Sequence, residues 1–145
     1  MPRAFHGRTI TAGFARAPAL VAQQPFMFAH GMDPRTGCIT DRRHELHSQS
    51  IRGRVFLFPH GKGSTTGSAW LLETLRLGNG PAAILNREME PIIATGLILG
   101  ELLYGTTIPA MDRLIPDPFP LIRSGDLVEV DGARRRVRVW RQLTR

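Results

Sequence analysis

The residues His60-Gly61-Lys62-Gly63-Ser64-Thr65-Thr66-Gly67-Ser68 have the types and spacing that could do chemistry. Three consecutive hydroxyls, Ser64 to Thr66, follow a cation, and the interspersed glycines let a ligand approach the backbone closely. Lys62 is the single lysine among 19 basic residues, a compact mobile charge where the chain otherwise uses the planar fork of arginine. The stretch lies between an apolar run and a helix start, where free backbone N–H groups and the helix dipole favour an anion. The alternative on these residues alone is plainer: Ser64 or Thr65 caps the helix and the glycines shape the turn.

Two nucleotide motifs come close to this stretch. A phosphate-binding P-loop needs a glycine, four residues and then Gly-Lys-Ser/Thr, but Lys62 is followed by Gly63 and Phe56 stands where the first glycine belongs. Gly61, Gly63 and Gly67 form G-x-G-x-x-x-G, near a dinucleotide fingerprint, with Glu88 as the acid some distance on. A nucleotide-binding module using the Gly61–Gly67 loop is therefore an alternative, although little chain is left afterwards to complete such a sheet.

The elements that must position the stretch follow from periodicity. Val55-Phe56-Leu57-Phe58, ended by Pro59, reads as a buried strand. A helix is expected from about Ser64 or Ser68 to Leu77, with Ala69, Leu72 and Leu75 as its apolar side and Gly78 as its stop. Ala82 to Leu85 is a second buried strand, and Pro91 opens a second helix running to roughly Leu99, with Gly96 a weak point. Phe5–Thr9, Phe26–Phe28, Cys38–Thr40 and Ile108–Met111 read as short β segments. Leu127–Val130 and Ala133–Trp140 form a hairpin about Asp131-Gly132. Asp33-Pro34-Arg35-Thr36-Gly37 is a type I turn, and Asp41 to Ser50 a polar surface loop. The fold class is α/β, a mixed sheet with parallel and antiparallel pairs and two main helices.

At 145 residues the chain should form a single domain over 1–145, large enough for one core. Hydrophobic content of 42% and charged content of 21% are globular values and exclude disorder. Cys38 is the one cysteine, so an internal disulfide is excluded and the chain cannot hold an iron–sulfur cluster by itself. Every apolar run is interrupted by proline, glycine or charge before it reaches membrane-spanning length, and a cytoplasmic location is expected. Net charge +7 and pI 11.3 raise nucleic acid as a partner. However, the arginines are scattered, and the Arg134–Arg141 cluster alternates with Val137 and Val139 as a solvated strand face would. No nucleic-acid or membrane partner is expected. His44 and His47, near Cys38, lack zinc-site spacing and read as a solvated loop. Cys38 itself reads as a small buried apolar side chain.

The motifs together resemble a family. Phe28 to Asp33 with Pro34 and Gly37, then Asp41-Arg42-Arg43-His44, are similar to the N-terminal signature of aconitase X small subunits. The resemblance continues through Gly61–Ser68, Pro81-Ala82-Ala83-Ile84, Thr95-Gly96, Tyr104-Gly105, Ile108-Pro109-Ala110 and Gly125-Asp126. It implies a swivelling β/β/α domain, with a mixed or barrel-like β core, that closes over a larger, separately encoded subunit carrying iron or an iron–sulfur cluster. No metal ligand is expected from this chain. The reaction implied is dehydration of a small hydroxy acid, a carboxylate substrate. Ser64 is then the proton-abstracting base, with Lys62, Gly63 and Thr65 binding substrate and His30 and Asp33 at the active-site mouth. Lys62 stands where arginine is common, Thr65 where serine is, and His30 where glycine is usual. Arg16-Ala17-Pro18 also replaces a more acidic turn. Arginine- and alanine-rich composition leans toward cis-3-hydroxy-L-proline as substrate, with phosphomevalonate as the alternative. A non-catalytic interaction domain with an exposed apolar face is the remaining class.

Overall fold

The computed structural model describes residues 1–142; the last three positions of the expected 1–145 domain lie outside the described residues. The elements are β1 (Arg3–Thr11), β2 (Phe14–Val21), β3 (Val55–Leu57), α1 (Thr66–Arg76), β4 (Ala83–Leu85), α2 (Pro91–Tyr104), β5 (Ala110–Ile115), β6 (Leu127–Asp131) and β7 (Arg136–Trp140). The strands close into a barrel in the order β1-β5-β4-β3-β2-β6-β7, with β7 returning to β1. Strands β2 to β5 pair in parallel, and the remaining four pairings are antiparallel. Closure leaves no free sheet edge.

Why β3 and β4 read as unbroken apolar runs is now visible. Val55 and Leu57, with Ala83 and Leu85, point into the barrel beside Phe5, Met111, Val128 and Val137. Phe56 and Ile84 point outward, under Leu71, Leu75, Ile93 and Leu97 of the two helices. Strands buried on both faces cannot alternate with polar residues.

Several expectations need correction. Strand β2 was not anticipated, because Pro18 lies inside it. The Ala19 N–H donates to the Asp126 carbonyl on the β6 side, so Pro18 N faces the β3 side, where pairing starts only at Ala19↔Val55. Its missing N–H leaves no ladder bond unmade. Phe26–Phe28 and Cys38–Thr40 are not strands. They lie in the long excursion between β2 and β3, and make the isolated bridges Phe26↔Gly61, Met32↔Ile39 and Cys38↔Ser50.

Both helices also depart from the expected details. The core face of α1 is Gly67, Leu71, Thr74 and Leu75, a true 3.6-residue spacing, while Ala69 is exposed and Leu72 only half-buried. Gly78 does follow its end, at φ +75°. Helix α2 runs five residues past Leu99, to Tyr104. Its glycines are contact points rather than weak points: a Cβ on Gly96 would lie 3.0 Å from Leu71 Cδ2, and one on Gly100 2.6 Å from Leu75 Cδ1. The β6–β7 turn is longer than two residues. Asp131 pairs with Arg136, the left-handed residue is Arg135 at φ +53°, and Gly132 is small because the β1–β2 turn passes against it.

Two polar devices fix the start of α2. Buried Asp112 on β5 accepts from Arg8 at 2.8 and 2.6 Å and from the Met89 N–H at 2.7 Å. Nearby, hydrogen bonds from Arg113 hold the Glu88 carboxyl below its usual range. One residue after Met89, Glu90 caps α2, accepting from Ile92 N–H at 2.9 Å and Ile93 N–H at 2.7 Å.

Gly31 gives a sharp stability test. A Cβ there would sit 1.8 Å from the Met27 carbonyl oxygen, whereas one on Gly53 meets nothing within 4 Å. Gly31→Ala should cost more than about 3 kcal/mol, a fall in Tm on the order of 10 °C, by calorimetry or circular dichroism. Gly53→Ala, at φ +67°, should cost about 1 kcal/mol. Equal losses in the two variants would show that the loop around Gly31 yields.

Candidate functional site

The site is built where the β2–β3 excursion meets the segment leading into α1. Phe26 N–H donates to the His60 carbonyl at 3.2 Å, and Lys62 N–H donates to the Phe26 carbonyl at 3.1 Å. Phe26 itself is buried among Phe28, Phe56, Phe58 and His44, with ring centroids 4.6 to 6.1 Å apart across this cluster. These contacts fix Met27, whose side chain meets Gly63. A Cβ on Gly63, at φ +99°, would fall 2.7 Å from Met27 Cγ and Sδ. Glycine is required there twice over, by backbone conformation and by contact.

The two other glycines of the apparent fingerprint have a different role. A Cβ on Gly61 would lie 2.6 Å from Ile93 Cδ1 and 2.8 Å from Glu90 Oε1, and one on Gly67 3.3 Å from Ile92 Cγ2. Both are packing positions against α2. Strand β3, the turn and α1 do follow one another, but the sheet closes into a barrel and so lacks the crevice of an open doubly wound sheet in which a dinucleotide lies.

The hydroxyls divide clearly. Ser68 Oγ donates to the Ile92 carbonyl at 2.6 Å and so joins the two helices. Thr65 stands at the N-cap in right-handed conformation (φ −57°, ψ −20°) without a side-chain cap bond. Ser64 accepts the Gly67 N–H through its backbone carbonyl at 3.0 Å. Its hydroxyl is exposed and has no protein hydrogen-bond partner among the described residues. The helix-cap reading of Ser64 and Thr65 therefore has no hydrogen bond behind it.

Two clefts flank this turn. One of about 540 Å³ is lined by Lys62, His30, Arg43, His44, Asp41 and Met27, among others. The other, about 680 Å³, takes in Asp33, Thr66, Trp70 and Glu73. His30 packs on Trp70 at 4.7 Å between ring centroids, so these rings stand between the clefts. The structure thus brings His30 and Lys62 together and puts Asp33 in the other cleft. Asp33 Oδ1 accepts the Arg35 N–H at 2.9 Å, and its carbonyl accepts from Thr36 and Gly37, closing the expected turn. His30 holds φ +63°, a conformation natural to glycine, in keeping with the glycine that the resemblance leads one to expect there.

Sequence reasoning missed Arg43 and His44 as cleft residues, placing them in a polar surface loop. His44 is only 7% exposed, and Leu46 is buried beside it. The signal was Leu46 itself, an apolar residue two positions after His44. His47 is exposed and Cys38 half-buried, and no group of three or more His, Cys, Asp or Glu among the described residues could hold a metal ion. With a single cysteine, the donor set does not fit an iron–sulfur cluster.

Comparison with known proteins now decides the family. The aconitase X swivel domain model matches residues 4–139. The chain belongs to the aconitase X swivel domain family. Among relatives of this swivel chain, the phosphomevalonate dehydratase small subunit of Methanosarcina mazei is 40% identical over 142 residues, covering 98% of this chain and 94% of that one. The phosphomevalonate dehydratase small subunit of Methanothermobacter thermautotrophicus is 42% identical, covering 90% of this chain and 95% of its own. The aconitase X of Thermococcus kodakaraensis, in its holo-form crystal structure, superposes with TM-score 0.86 at 34% identity, covering 95% of this chain and 98% of that chain. A UPF0107 protein solved by solution NMR gives TM-score 0.82 at 35% identity, covering 95% of this chain and 99% of its own. The barrel with two helices is thus the aconitase X swivel architecture that the sequence suggested.

The uncommitted Ser64 hydroxyl and the committed one of Ser68 predict opposite stability effects. Ser64→Ala should leave Tm within about 1 °C. Ser68→Ala should cost about 1 kcal/mol, the worth of the bond between helices. A large fall in Tm for Ser64→Ala would restore the cap.

Proposed function

We propose that this chain is the small subunit of a two-chain aconitase X-type dehydratase, and that Ser64 Oγ is the base that takes the carbon-bound proton. The observation that carries the reading is the exposed, unpartnered Ser64 hydroxyl held beside Lys62 by the Met27–Gly63 contact. Dehydration removes a proton from one carbon and a hydroxyl from its neighbour. This chain supplies the group for the first step. Lys62, Gly63 and Thr65 surround the hydroxyl in sequence and bear on the substrate and on the charge Ser64 must tolerate.

Serine needs help to act as a base. A helix N-terminus contributes at most about 2 kcal/mol, or roughly 1.5 pKa units, far short of ionising a hydroxyl at neutral pH. Lys62 supplies the rest, its attraction strengthened when closure against the large subunit excludes water. The iron centre belongs, on this proposal, to that large subunit, since this chain's donors do not fit one. The exposed apolar end of α2, with Ile98, Leu102, Leu103 and Tyr104, supports the need for a partner chain.

For the substrate, the names of the relatives support a phosphorylated hydroxy acid over cis-3-hydroxy-L-proline. The experiment co-expresses the chain with an aconitase X large subunit and offers both compounds. Phosphomevalonate should be dehydrated by the complex and by neither chain alone. Ser64→Ala should abolish turnover and deuterium exchange at the substrate carbon, with substrate affinity changed only a few-fold, about 1 kcal/mol. Exchange that persists in Ser64→Ala but is lost in Thr65→Ala would move the base by one residue. Turnover of cis-3-hydroxy-L-proline alone would reverse the choice of substrate.

A further inference from the structure

The His44 ring makes a demand the protein does not meet. Its Nδ1 accepts the Leu46 N–H at 3.1 Å, so the neutral ring carries its proton on Nε2. That Nε2 is buried and has no hydrogen-bond partner. The edge-to-face contact with Phe26, 5.5 Å between centroids at 89°, fixes the plane of the ring. An unpaired buried donor is costly, and groups left so in a folded protein call for an explanation.

The surroundings supply one. His44 lines the 540 Å³ cleft with Lys62, Arg43 and His30. Neither Lys62 nor Arg43 forms an ion pair with a carboxylate among the described residues. Asp41 is the one acid lining the cleft, and its Oδ1 is turned to the Arg43 backbone N–H at 3.0 Å. Two full cations and the exposed ring of His30 thus line the cleft with a single carboxylate, and the His44 ring that lines it too carries a buried, unpaired N–H.

We propose that this cleft is a subsite for a phosphomonoester dianion, with the Nε2–H of His44 as its buried donor and Arg43 and Lys62 as its charged partners. A phosphate group carries close to two charges and three acceptor oxygens, enough for the arginine fork, the ammonium and the imidazole together. A carboxylate brings one charge and two oxygens, both of which a bidentate arginine engages, so it matches two cations and an imidazole less well. Lys62 is two Cα steps from Ser64, at most about 7.6 Å, so one small ligand spans from the phosphate subsite to the reacting hydroxyl. That the phosphate is the substrate's own rests on the dehydratase reading above; that the cleft takes phosphate does not.

The test uses the full chain with nitrogen-15-labelled histidine. Inorganic phosphate is titrated at constant ionic strength, with acetate as the control anion. The His44 Nε2–H resonance should move and saturate with phosphate and respond less than about a tenth as strongly to acetate. Arg43→Ala and Lys62→Ala, both changes at exposed side chains, should each weaken the phosphate response about tenfold, as expected for loss of a charge-assisted hydrogen bond. An acetate response equal to that of phosphate, or a phosphate response unaltered in Arg43→Ala, overturns the subsite. In the two-chain complex, Arg43→Ala should raise KM for the phosphorylated substrate about tenfold, with kcat within about threefold. An active complex whose KM is unmoved sinks the subsite and leaves the dehydratase. A complex inactive on both substrates, with the phosphate titration intact, sinks the dehydratase and leaves the subsite.

Discussion

Two backbone hydrogen bonds on either side of Phe26 hold the functional end of this molecule together. Through them the excursion between β2 and β3 is laid beside the segment that leads into α1. Phe26 is locked by its aromatic neighbours, and Met27 is then caught between Gly31, which meets its carbonyl, and Gly63, which meets its side chain. Lys62, Ser64, His30 and His44 all take their positions from that register. None is placed by the barrel directly.

The barrel supplies a rigid base for that register. Parallel pairing of β2 to β5 demands long crossovers, and each is used: the first carries Arg43 and His44, the second the hydroxyl turn and α1, the third the Glu90 cap and α2. Asp112 then ties Met89, one residue before the cap, to Arg8 on β1, so the third crossover is anchored across the sheet. A buried carboxylate is tolerated there because it is paired with arginine and accepts a backbone N–H.

Much of this was legible in the residues. The two-face burial of β3 and β4 showed in their unbroken apolar runs, Pro91 marked the start of α2, Gly78 the end of α1, and the hydroxyl-rich turn stood out by type. The failures share a cause: each depended on a partner distant in sequence. Pro18 sits in a strand because pairing on its N–H side begins one residue later. Gly96 and Gly100 continue a helix because Leu71 and Leu75 need the room. His44 is buried because Phe26, eighteen positions earlier, lies against it. Local propensity carries no record of such partners. Within the site, Ser64 and Lys62 were readable from local spacing, whereas the cleft that Lys62 shares with Arg43 and His44 was not.

Helix α2 carries one charged residue, Glu101, in fourteen, and leaves Leu102 at 75% and Leu103 at 60% exposure. Such a surface sets the terms on which the chain can be made. Any surplus over whatever covers those leucines presents sticky side chains to other copies and to the cell's quality-control machinery, where small losses in stability change abundance severalfold. Matched synthesis then becomes a matter of solubility. Recombinant yield of the chain should be governed by the supply of its cover more than by the strength of its barrel.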